Sequence, residues 1–185
     1  MSAMSVRAFS RSVAALVRRM RRDGTKASAA IEFAFVAPVF FLFMMGIIEV
    51  GVMFFANSVL QKATDDAARL VRTGQVQANN MTQDQFKSYI CGEISVILKN
   101  CNDLQVDMES YSSFGGATYT SAYGADGNLN SNLNGYQTGS SGSTVLLRVF
   151  YQWKMLTPLI SPLLKNEPNG DHLLTATAAF QNEPW

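Results

Sequence analysis

One stretch decides what this chain can become: Ala27–Ala56, ASAAIEFAFVAPVFFLFMMGIIEVGVMFFA. Sixteen uncharged residues separate Glu32 from Glu49, and Val50–Ala56 adds seven more that are apolar or small. At a rise of about 1.5 Å per residue, a helix over Phe33–Ala56 is about 36 Å long. A hydrocarbon core is about 30 Å thick, so such a helix spans a bilayer with some tilt. A soluble domain has no use for Phe33, Phe35, Phe40, Phe41, Phe43, Phe54 and Phe55 in one run. The stretch predicts a single-pass transmembrane helix over 28–56, and with it a lipid bilayer as partner.

The charges set its direction. The formal net charge of the chain is +1, but residues 1–27 carry seven basic residues against Asp23 alone. A basic flank before the span, with none comparable after it, places the N-terminus in the cytoplasm and residues 57–185 outside. Within the flank, Val6, Phe9, Val13, Leu16, Val17 and Met20 recur at helical spacing opposite the arginines. This basic leader is either a retained segment held at anionic headgroups or a piece that is removed. The adjacent membrane explains the basic bias without a nucleic-acid partner. Arg18-Arg19 does not make a twin-arginine signal, and a run this long with no A-x-A site at its end does not fit an ordinary secretory signal.

Beyond the span, Asn57–Thr73 continues in helical period, with Val59, Leu60, Ala63, Ala67, Leu70 and Val71 on one stripe before a stop at Gly74. Thr82 and Gln85 form a capping box and Met81 with Phe86 a hydrophobic staple. They open a second helix whose apolar side is Phe86, Ile90, Ile94, Ile97 and Leu98. Strand patterns follow over Leu104–Glu109, Ser143–Met155 and His172–Gln181. The expected architecture is α+β, an antiparallel sheet packed on the outer helices. Ser161-Pro162 is placed to start one short helix between the last two strands.

Cys91 and Cys101 are the only cysteines, and on the outer side of a membrane a structural disulfide between them is the default. Residues 112–142 are rich in Gly, Ser and Asn and read as a flexible connector or a contact loop. The run Asp126, Asn128, Asn130 invites comparison with a calcium loop, but Ser131 stands where glycine is needed and Gln137 where glutamate is. No metal, cofactor or catalytic residue is expected. The single histidine, His172, has no motif-placed nucleophile beside it, and Asp65-Asp66 sits on a solvated helix face.

Two acids stand out. Glu32 lies at the start of the apolar run, where it complements a helix N-terminal dipole. Glu49 either reaches the outer interface or needs a polar partner within a helix assembly. Pro38 lacks an N–H, so a kink or local unwinding is expected there.

The segment AAIEFAFVAPVFFLFMMGIIEVG, with Ile31, Glu32, Phe33, Ala34, Pro38, Gly46, Glu49 and Gly51 in place, resembles the opening of the TadE-like family of minor pseudopilins. That family belongs to bacterial tight-adherence (Flp) pilus systems. The closing Thr175–Pro184, TATAAFQNEP, is similar to the family's usual end. The resemblance implies a class III signal cut by a prepilin peptidase between Ala27 and Ser28, leaving Glu32 fifth in the mature chain. Ala27 departs from the pattern, which has Gly there. It further implies that Glu32 pairs with the freed Ser28 amine of a neighbouring pilin-like subunit, that an inner-membrane platform assembles the subunits, and that the chain resides in the bacterial inner membrane or the pilus. The implied fold is a long helix whose outer half is buried against a small pilin-like domain. The rival reading is an uncleaved single-pass envelope protein whose outer domain binds a partner.

Overall fold

The computed structural model describes residues 4–98, 100–118 and 120–185, with side chains from Ser28 onward. The leader's apolar stripe and Ala27 therefore lie outside the described side chains. The first helix, α1, runs over Met4–Arg72 with Pro38 inside it. The chain divides into two compact units, Met1–Met45 and Gly46–Trp185.

In the first unit every described side chain is exposed except Ala37, which is half-buried. Helices that are apolar all round need lipid or partner helices around them. This one is long and apolar enough to cross a membrane.

The second unit is organised on the continuation of α1. Glu49, Met53, Ala56, Leu60, Ala63, Ala67 and Val71 are buried in steps of three and four along it. Alanines at three of these positions let the sheet approach closely, and each large buried side chain such as Leu60 contributes about 1.5–3 kcal/mol. The unit begins at Gly46. Helix α1 ends where Gly74 adopts φ 74°, one residue before a short α2 (Gln75–Ala78). A Cβ on Gly74 would lie 2.7 Å from the Trp185 ring, so both backbone and packing demand glycine there. The C-terminus is held beside it by Glu183 N–H donating to the Arg72 carbonyl (2.9 Å).

The second expected helix is α3 (Gln83–Ile94), and its capping box is formed in both directions between Thr82 and Gln85. Phe86, Ile90, Cys91 and Ile94 are buried on its inner side. The Cys91–Cys101 disulfide is present, with Cα atoms 5.8 Å apart. Closing this loop stabilises the fold by about 3 kcal/mol on the chain-entropy model. Replacing both cysteines with serine is expected to lower the unfolding free energy by that amount in a denaturant titration. A change below about 1 kcal/mol would refute the structural role.

Strands β1 (Leu104–Tyr111), β2 (Thr144–Trp153) and β3 (His172–Gln181) form one antiparallel sheet in chain order. The register sets Leu104 opposite Tyr151, Asp107 opposite Arg148 and Trp153 opposite His172. Alternation therefore turns Leu104, Val106, Met108, Val145, Leu147, Val149, Tyr151, Leu174 and Ala176 onto the helices in one core.

The opposite face is covered over β1 and part of β2 by residues from 120 to 137, while Thr175, Thr177 and Ala179 of β3 stay exposed. Leu133 packs with Phe150 and Leu173. Gln105 Nε2 donates to the Leu133 carbonyl (2.6 Å). The backbone of Gly135 and Gln137 bonds to both sides of Met108 at 2.8 Å. A Cβ on Gly135 would lie 2.9 Å from Glu109 Oε1 and 3.1 Å from Asp107 Oδ1. A free connector would make none of these bonds. Under the loop, Arg148 donates through Nη2 (2.6 Å) and Nε (3.1 Å) to Asp107 Oδ2, and Gly135 N–H donates to Asp107 Oδ1 (3.0 Å).

The outer edge of β3 carries side-chain amides. Gln61 from α1 donates to the Thr177 carbonyl (3.2 Å) and accepts from its N–H (3.3 Å). Asn166 makes the same pair of bonds with Leu173.

Candidate functional site

The two acids of the apolar run have different fates. Ser28 and Glu32 stand one helical turn apart on α1, where residues four apart share a face. The Ser28 hydroxyl donates to Glu32 Oε1 at 3.1 Å, and both residues are exposed. Among the described residues no cation pairs with Glu32. Pro38, farther along the same unit, removes one N–H from the ladder and does not end the helix.

Glu49 is buried, with 1% of its surface exposed. Its carboxylate accepts from Leu156 N–H through Oε1 and from the Thr157 hydroxyl through Oε2, both at 2.9 Å. These donors belong to the turn that leaves β2. The polar partners of Glu49 come from its own chain and not from a neighbouring helix. The reason is the buried stripe, in which Glu49 precedes Met53 by four residues and Ala56 by seven. Extending the stripe back from Leu60 lands on this acid, and that signal was available in the sequence. A bare carboxylate there would be very costly, and two donors offset the cost.

His172 Nδ1 lies 2.6 Å from the Leu164 carbonyl, a bond that ties β3 to the short helix α4 (Ser161–Leu164). A cleft of about 420 Å³ beside it is lined by Met53, Asn57, Tyr123 and Asn166, among others. Among the described residues no group of three or more His, Cys, Asp or Glu is placed to hold a metal ion. Asp126 instead closes a turn on itself, accepting from Asn128 N–H (3.1 Å) and Nδ2 (2.9 Å). Those bonds hold its carboxyl below the usual range.

The described residues thus comprise an exposed apolar helical stretch long enough to cross a membrane and an α+β unit that begins at Gly46. Residues 27–69 match the family model described as TadE-like protein, the family whose opening motif the sequence resembles. That match points to tight-adherence pilus assembly and to pilin-like partners. It covers both acids and the stripe up to Ala67, and leaves β1–β3 outside. No curated protein matches the chain. No solved structure matches it either.

Proposed function

We propose that the chain is a minor pseudopilin or assembly component of a tight-adherence pilus or a related secretion machine. It sits in the bacterial inner membrane with its N-terminus cytoplasmic and its α+β domain outside. A prepilin peptidase removes residues 1–27, and the chain then packs helix to helix with other subunits on an inner-membrane platform. It works by insertion and packing, with no catalytic step and no cofactor.

The observation that carries this reading is Glu32, an exposed carboxylate in the apolar first part of α1, which accepts from the Ser28 hydroxyl and among the described residues meets no cation. In hydrocarbon an ionised side chain costs roughly 2.5–3.5 kcal/mol, so it draws a cationic partner. Cleavage before Ser28 creates such a cation, and a neighbour's Ser28 amine is one that Glu32 can meet. N-terminal sequencing of the membrane-extracted protein is expected to begin at Ser28. A start at Met1 or Ser2 would favour the uncleaved envelope protein, the reading for which Ala27 in the place of Gly speaks.

A further inference from the structure

The turn that satisfies Glu49 has a second property. Residues 155–164, MLTPLISPLL, carry no charge, and Lys154 and Lys165 flank them. Leu156, Leu159 and Leu163 are exposed by 65%, 78% and 82%, although Ile160 between them is buried. Leucines left outward on a turn that already buries an isoleucine are not spare core residues. The turn is also fixed in place. Leu156 and Thr157 hold Glu49, and Ile160 Cδ1 stands 3.5 Å from where a Cβ on Gly46 would be.

It therefore rests on α1 at Gly46–Glu49, beside Ile47 and Ile48, which are exposed and belong to the uncharged run. Its backbone is largely self-satisfied. Ile160 and Ser161 N–H donate to the Thr157 carbonyl, Leu163 N–H to Ile160 and Lys165 N–H to Ser161, all between 2.9 and 3.1 Å. That is what a segment entering an apolar medium requires.

We propose that the 155–164 turn is a second membrane contact. Leu156, Leu159 and Leu163 seat in the outer leaflet beside the emerging helix, and Lys154 and Lys165 lie at lipid phosphates, as amphipathic interfacial segments do. The occupant is lipid because the patch continues the apolar surface of the helix at Ile47 and Ile48, and because the flanking charges are both basic and exposed, Lys154 only loosely paired with Asp103 at 3.8 Å. The contact would set the depth at which the helix leaves the bilayer. The inference rests on the membrane reading of α1.

The test uses the full chain in vesicles of phosphatidylethanolamine and phosphatidylglycerol. An environment-sensitive thiol dye is placed in turn at Leu159→Cys, Leu163→Cys, Phe41→Cys and Phe114→Cys, the native cysteines being locked as the disulfide. Phe114 follows β1, at the end of the sheet away from the turn, and serves as the aqueous control. Labels at 159 and 163 are expected to shift to shorter wavelength and lose most of their emission to shallow doxyl lipids, while the label at 114 does neither. If the label at 41 is quenched and those at 159 and 163 stay aqueous, the turn proposal fails and the span stands. If 41 is also aqueous, both fail. A shift at 159 that disappears on dilution with lipid would assign the patch to a second copy of the chain and overturn the proposal.

Discussion

Asp107→Ala is expected to lower the stability of the α+β unit by about 3–5 kcal/mol, because it takes the Asp107 carboxylate away from a buried guanidinium that donates to it twice. The two side chains are exposed by only 2% and 8%. Asp107 accepts from Arg148 on one oxygen and from Gly135 N–H on the other. A domain has about 5–15 kcal/mol in all, so the loss is a large part of it. In detergent, thermal unfolding followed by circular dichroism should fall by roughly 10 °C or more. Apolar residues in place of both, Asp107→Leu with Arg148→Met, should recover much of the loss, since the burial penalty disappears with the pair. Arg148 also donates to the Thr120 carbonyl (2.6 Å) and lies over the Phe150 ring, so recovery will be incomplete. A single variant within about 1 kcal/mol of the native chain would show that the pair is solvated.

Glu49→Ala is the second large effect. It strands the Leu156 N–H and the Thr157 hydroxyl, at about 1–3 kcal/mol for each unsatisfied group. The expected sum is about 3 kcal/mol. Glu49→Gln keeps one acceptor for Leu156 N–H, and the Thr157 hydroxyl can turn to accept from the new amide, so about 1 kcal/mol is expected. The measurement discriminates between roles. If Glu49 worked only between subunits, neither change would destabilise dispersed single chains in detergent. An unaltered unfolding curve for Glu49→Ala would show that its bonds to Leu156 and Thr157 do not hold the turn.

How far these features are legible in the sequence depends on the range of the interaction behind them. The Thr82–Gln85 box spans three residues and could be read directly. So could the alternation in β2, whose observed Thr144–Trp153 is the core of the expected Ser143–Met155. Strand β3 matches its expected bounds, and α4 begins at Ser161 as Pro162 suggested. Helix α3 ends at Ile94, so Ile97 and Leu98 of its expected apolar side lie past it, where Ser95–Ile97 turn before Cys101 meets Cys91.

Glu49 illustrates the opposite case. Its helical phase was visible, but its donors lie more than a hundred residues away and appear only once β2 returns to α1. Asp107 and Arg148 each read as the polar half of an alternating strand, and only the register makes them face one another. The coat over the second face was hidden by composition. A segment rich in Gly, Ser and Asn looks unstructured, yet Gly135 is what lets its backbone come within bonding distance of β1.

The amides on β3 and the 135–137 backbone on β1 bear on how such molecules can gather. A sheet with bare margins invites a neighbour to add a strand, which is the usual beginning of runaway fibres. Here an incoming chain would find Gln61 and Asn166 at one margin and the covering loop at the other. For the proposed pilus subunit, margins closed in this way would favour association through α1, which subunits can enter and leave, over a stitched β ribbon that would trap them.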